Sequence, residues 1–140
     1  MKKSQSHTST LKEKVFIALM IFEVLSLALT AQDAAILEMT PSKSPVLVYQ
    51  EMDFSATLIN EGEFTMYDGL VVFQVLKEDE IIFEYHHPIF ELTPEQPKVF
   101  NSFPETWTPT IHGDYTIRTE TYFHFDKNST NNVKETMLEV

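Results

Sequence analysis

The stretch that follows Gly113 can only be written as a strand. Tyr115, Ile117, Thr119, Thr121 and Phe123 alternate with Thr116, Arg118, Glu120, Tyr122 and His124. That two-residue period is expected of an extended chain with one face buried and one in water. Gly113 stands where the chain must turn sharply into this strand, a conformation that strains a residue with a Cβ.

The same texture extends over the chain from Asp33 onward, where no ten-residue window shows helical periodicity. Short β-branched or aromatic runs are separated by turn residues instead, the spacing of a sandwich. A first strand is expected over residues 35–39, ended by Pro41 and Pro45, which cannot sustain a ladder. Met52, Phe54, Ala56 and Leu58 give the second strand an apolar face before Asn60-Glu-Gly62 turns the chain. Residues 69–77 contain the apolar run Leu70 to Leu76, expected to be a central strand covered on both faces. A charged hairpin at residues 77–80 leads into a fourth strand over residues 81–85. Leu92 to Pro97 crosses over to a fifth at residues 99–108, broken or bulged at Pro104. The strand after Tyr115 and one over residues 133–140 bring the count to seven. The expected fold is all-β, a seven-stranded immunoglobulin-like β-sandwich preceded by an N-terminal signal or anchor helix.

Residues 1–31 read as a signal peptide or N-terminal membrane anchor, and residues 32–140 as the sandwich. Lys2, Lys3, Lys12 and Lys14 precede an apolar stretch of residues 15–29, which opens on Val15 and closes on Leu29. Its length is that of a signal-peptide core. As a helix it would span roughly 22 Å, short of the ~30 Å hydrocarbon layer. Cleavage fits after Ala28 or at the Ala31-Gln32 bond. Glu23 within the stretch costs roughly 2.5 to 3.5 kcal/mol on insertion, tolerable in a transient signal and less so in a permanent anchor. Retained, residues 15–29 would tether the domain to a membrane.

Charge narrows the partners. Residues 1–31 carry a net +2 of the chain's −11, which leaves −13 on the remainder. Such a surface repels phosphate backbones, so nucleic acid is excluded as a partner. With no cysteine, disulfides and thiolate chemistry are excluded as well.

No reacting constellation emerges. His86 and His87 are adjacent and on a strand point to opposite faces, so they read as a strand-end pair partly in solvent. His112 and His124 are one strand apart and have no partner at ligand spacing. Glu61, Glu63, Asp68, Glu78, Asp79, Glu80 and Glu84 read as a solvated face. Asp126, Asn128, Asn131 and Asn132 gather oxygen in one loop, where calcium would need six to eight ligands; left-handed turn residues account for the same pattern. Asn128-Ser-Thr130 is an N-glycosylation sequon, so Asn128 is a glycan candidate. No catalytic residue, metal ligand or cofactor is assigned, and the chain is not expected to be an enzyme.

The order Asn60-x-Gly62, Leu92-Thr-Pro94, Trp107-Thr-Pro109, Gly113-x-Tyr115 and Asp126 resembles the CARDB family, the cell-adhesion-related domain of bacterial and archaeal surface proteins. Its members are seven-stranded immunoglobulin-like sandwiches, in which Gly-x-Tyr forms a tyrosine corner. The resemblance spans residues 33–140 and marks Asn60, Gly62, Trp107, Gly113, Tyr115 and Asp126 as structural signature positions. Two departures stand out: Glu95 occupies the glycine position of a Leu-x-Pro-Gly turn, and Ser129-Thr-Asn131-Asn132 replaces an acidic Glu-x-Asn-Asn motif. The resemblance implies an exported, extracellular or cell-surface accessory module that contacts a protein or a cell-envelope polymer, as adhesion modules do. Alternatives are a membrane-anchored structural subunit of a surface assembly or filament, and a calcium-stabilised module.

Overall fold

The computed structural model describes residues 14, 16, 17, 32–41, 45–101 and 103–140. Seven strands follow in chain order: β1 (Ala34–Thr40), β2 (Ser55–Asn60), β3 (Met66–Lys77), β4 (Glu80–Leu92), β5 (Lys98–Phe100), β6 (Asp114–Tyr122) and β7 (Val133–Glu139). They form two antiparallel sheets, ordered β1-β2-β5 and β4-β3-β6-β7. The chain divides into units Met1–Ala31 and Gln32–Val140, and all seven strands belong to the second. Lys14, Phe16 and Ile17 are helical; the rest of the expected signal or anchor helix lies outside the described residues. Among those described, no helix is long and apolar enough to cross a membrane.

The sheets bury alternate residues against each other. Phe54 from the β2 side lies 5.7 Å from Phe73 of β3 and stacks on Phe83 of β4 at 5.4 Å. Phe103 closes the same cluster, 4.7 Å from Phe73 and 5.4 Å from Tyr85. Each fully buried large side chain adds roughly 1.5 to 3 kcal/mol of transfer free energy. Strand β3 is central and buried on both faces from Val71 to Val75, as its continuous apolar run requires.

Strand β2 opens only at Ser55, so Met52 and Phe54, expected within it, precede it, and three further boundaries differ from the sequence expectation, each for a physical reason. Strand β4 continues through His86, His87 and Pro88 to Leu92, so the histidine pair sits mid-strand. Proline is accommodated because β4 is an edge strand, where a missing N–H can face solvent. His87 turns inward, 4.9 Å from Phe103 and 5.9 Å from Phe100, while His86 turns outward to Glu84. Strand β5 keeps only Lys98–Phe100; beyond it the chain meets the approach to β2 through the isolated bridge Met52 to Trp107 and a bond from the Tyr49 N–H to the Pro109 carbonyl. Strand β3 begins three residues earlier than expected, at Met66.

That early start conceals a slip in alternation. Val71, Phe73 and Val75 face the core, which would turn Tyr67 inward, yet Met66 is 2% exposed and Tyr67 61%. Between them and the regular part of β3 stands Asp68, with φ +54°. A left-handed residue inside a strand rotates the residues before it to the other face. The partner strand slips at the same level: Ile89 and Leu92 are buried, whereas Phe90 and Glu91 are exposed. Met66 pairs with Leu92, and together they close the core at this end.

Candidate functional site

The residues singled out from sequence fall at the two ends of the sandwich. At the end where β6 begins, Trp107 packs edge-on against Tyr115 at 5.0 Å. The Tyr115 hydroxyl donates to the Ile111 carbonyl at 2.6 Å, a tyrosine corner. Lys77 Nζ lies 4.9 Å over the same ring. Gly113 has φ +143° and exchanges two 3.0 Å backbone bonds with Val140, so a side chain there would be strained.

The opposite end gathers the other signature positions. Asn60 is fully buried, and its amide donates to the carbonyls of Phe64 (2.7 Å) and Leu92 (2.9 Å) while its Oδ1 accepts from the Gly62 N–H (2.9 Å). One side chain thus closes the turn after β2 and ties it to the end of β4 in the other sheet. The Asn60 carbonyl accepts from the Glu95 N–H, and Glu95 adopts φ +58°. The glutamate at the family's glycine position therefore keeps the left-handed turn.

Next to it, β1 is fastened to the loop after β6. Asp126 accepts from the Ala34 N–H (Oδ2, 3.1 Å) and from the Asn128 N–H (Oδ1, 3.1 Å). The Asn131 amide donates to Asp33 (2.8 Å) and Glu61 (3.3 Å), and the Asn128 amide to Asp33 (3.3 Å). The Asn131 carbonyl accepts from the Ile36 N–H, and that of Asn132 from the Thr121 N–H. Thr130 Oγ1 donates to Asn128 Oδ1 at 2.6 Å, closing the sequon on itself. Asp33 and Glu61 were not foreseen as partners, because they stand 98 and 70 positions from Asn131 and no local motif joins them.

The histidines are not brought together. His112 precedes β6 and His124 follows it, at opposite ends of the sheet. Among the described residues, no three His, Cys, Asp or Glu side chains are arranged to hold a metal ion.

Beside the clasp lies a cleft of about 400 Å³, lined by the apolar side chains of Met66, Tyr67, Phe123 and Phe125 together with Asp68, His124 and Gln32. Phe123 forms its floor by lying against Gly69; a Cβ there would stand 2.2 Å from the ring. Tyr67 and Phe125 remain 61% and 64% exposed, and the His124 ring meets Phe125 edge-on at 4.5 Å. Sequence reading placed Phe123 in the strand alternation and left Phe125 unremarked. The signal lay in the two phenylalanines flanking His124 just past the strand.

On the outer face of the larger sheet, Glu84, Gln74, Arg118 and Glu135 form one row across all four strands. Gln74 donates to Glu84 at 2.6 Å, His86 meets Glu84 at 2.7 Å, and Arg118 lies 3.6 Å from Glu135. The bond from Gln74, then that from His86, holds the Glu84 carboxyl below its ordinary value.

No family model matches the sequence, and no relative is found among curated proteins. Solved structures do match. The crystal structure of the CARDB domain of a Pyrococcus furiosus protein, in complex with di-metal ions, superposes with a TM-score of 0.58 at 22% identity, covering 79% of this chain and 89% of that one. The solution structure of the same domain gives 0.58 at 22%, with 79% and 95% covered. A domain of a Methanosarcina acetivorans protein, assigned to the cell surface by name only, gives 0.53 at 17%, with 79% and 92% covered. The chain therefore has the seven-stranded fold of CARDB domains, as the order of its turns indicated.

Proposed function

We propose that this chain is a non-catalytic module of an exported or surface-held protein, which contacts a protein or a cell-envelope polymer through the end of the sandwich that carries the cleft. The supporting observation is a division of labour. Asn60, Asp126 and the Asn131 amide nitrogen hold strands together, while the neighbouring side chains of Tyr67 and Phe125 are left facing water. Exposed aromatic side chains with a polar rim mark contact surfaces. Residues 1–31 serve as the export signal or as a membrane tether, and Asn128 is a glycan acceptor in a host with the transferase, at the cost of its bond to Asp33.

The test is binding of the purified protein to envelope fractions and surface proteins of its source, with mass spectrometry of the native N-terminus. Retention by at least one fraction is expected; failure with all of them at micromolar concentration overturns the reading. A mature start at Leu29 or Gln32 selects the signal over the tether.

The di-metal ions are a property of the Pyrococcus domain. In this chain amide and backbone N–H groups point at the oxygens of Asp33, Glu61 and Asp126, each bonded oxygen accepting one of the bonds it can take, while the Oδ1 atoms of Asn131 and Asn132 are buried without a hydrogen-bond partner among the described residues. A calcium-stabilised clasp predicts a melting temperature that rises with Ca²⁺ and returns on chelation; an unchanged melting curve removes it.

A further inference from the structure

We infer that the cleft between Tyr67 and Phe125 binds one uncharged sugar unit of a cell-envelope glycan. This deepens the surface-module reading and rests on it. Four observations on this chain carry it.

The cleft's volume of about 400 Å³ lies within the ~300 to 1,000 Å³ range of small-ligand sites. Its walls are large aromatic rings held open to water, and a ring face offers a sugar's C–H face a flat apolar surface while leaving the hydroxyls free at the edge. Around those edges stand Asp68, His124 and Gln32, a carboxylate acceptor, an imidazole and an amide with both functions. That set matches the vicinal hydroxyls of a saccharide, each a donor and an acceptor. Charge sets the class of sugar: Asp68 lies in the cleft, Asp33 and Asp126 lie beside it, and residues 32–140 carry −13. Sialic or uronic acids and phosphorylated sugars would be repelled.

The backbone places these groups deliberately. The left-handed Asp68 is the residue that turns Tyr67 outward, and left-handed non-glycine residues gather at ligand clamps. Gly69 follows at once and admits the Phe123 ring beneath. One dipeptide thus sets a wall, the floor and a hydrogen-bonding edge.

The experiment is NMR titration of the purified protein with four neutral probes, maltotetraose, cellotetraose, mannotetraose and chitotetraose, and with tetragalacturonate, in which every unit is charged, as the anionic control. Expected are millimolar or tighter binding of at least one neutral probe, with shifts at Tyr67, His124 and Phe125, and no response to tetragalacturonate. Tyr67→Ala and Phe125→Ala should each weaken binding about tenfold or more, with Asp68→Asn intermediate. Both aromatic side chains are exposed, so their loss should leave melting unchanged, and Tyr49→Ala, at an exposed tyrosine elsewhere, should leave binding intact. Absence of shifts at these residues with all four neutral probes overturns the proposal, as does equal binding of the anionic sugar. The underlying reading is judged separately: envelope retention that survives in the Tyr67→Ala/Phe125→Ala double variant removes the sugar cleft and keeps the surface module, whereas loss of retention in the unaltered protein removes both.

Discussion

Asp126 accepts the backbone N–H of Ala34 across 92 positions of sequence, joining the loop after β6 to the first residue of β1. Strand β1 belongs to the smaller sheet and β6 to the larger, so this bond is a strut between the two layers. Replacing Asp126 by alanine removes two acceptors and leaves the Ala34 and Asn128 N–H groups without them. A loss of about 1 to 3 kcal/mol is expected, read as a lower midpoint in urea with an unchanged slope. Stability equal to wild type would show that water replaces the carboxylate without cost.

Glu95 is the opposite case, a position where the native residue works against its backbone. Its φ of +58° is one that glycine adopts freely and that costs an L-residue roughly 1 kcal/mol or more, partly offset by glycine's greater freedom in the unfolded chain. Glu95→Gly should raise stability by about 0.5 to 1 kcal/mol, seen as a melting temperature a few degrees higher. A lower melting temperature would mean that the Glu95 side chain contributes more than the turn costs.

At Gly69 the expected sign reverses. An added methyl would meet Phe123 Cε1 at 2.2 Å and Cζ at 2.4 Å, so the ring must shift. Gly69→Ala should cost about 1 to 3 kcal/mol and shift the Phe125 and His124 resonances together. Unperturbed resonances at both residues would show that Phe123 does not form the floor described for the cleft.

Acid should erode the outer face through Glu84. Folding lowers this carboxyl below its ordinary 4.5, so its contribution is complete above that value and disappears as the pH falls through the lower, folded one. Unfolding followed from pH 6 downward should therefore show a stability loss that begins below about 4.5 and is shallower in Glu84→Gln. The side chain is 39% exposed, so water screens the effect and the change in slope should be small. Identical acid limbs in the two proteins would remove Glu84 as a contributor.

What could be read from the sequence was what repeats locally. The alternation after Tyr115, the apolar run of β3 and the charged turn before β4 each carry their own period, and each appears where it was expected. Glu78 and Asp79 even take the two left-handed positions of a tight hairpin, with φ +51° and +65°. The slip at Asp68 and Phe90 escaped because two strands change phase together, and neither sequence alone marks the change. Strand β4 looked short because His86-His87-Pro88 resembles a terminus, and only its edge position makes proline acceptable there. The clasp was half visible: Asp126 and the asparagines stand close in sequence, whereas Asp33 and Glu61 reach them only through the packing of β1 on β2. The cleft escaped altogether, since its walls come from β3 and from the segment after β6, and exposure of an aromatic ring is not encoded by its neighbours.

Pro88 has a further consequence for how copies of this molecule could meet. Strand β4 is the longest in the domain and lies at the open margin of its sheet, the natural seam for one sandwich to zip onto the next. An imide midway along that seam has no hydrogen to offer, so a neighbouring strand would lose registry at the point of greatest overlap. Along this margin the molecule is built as a bead and not as a thread.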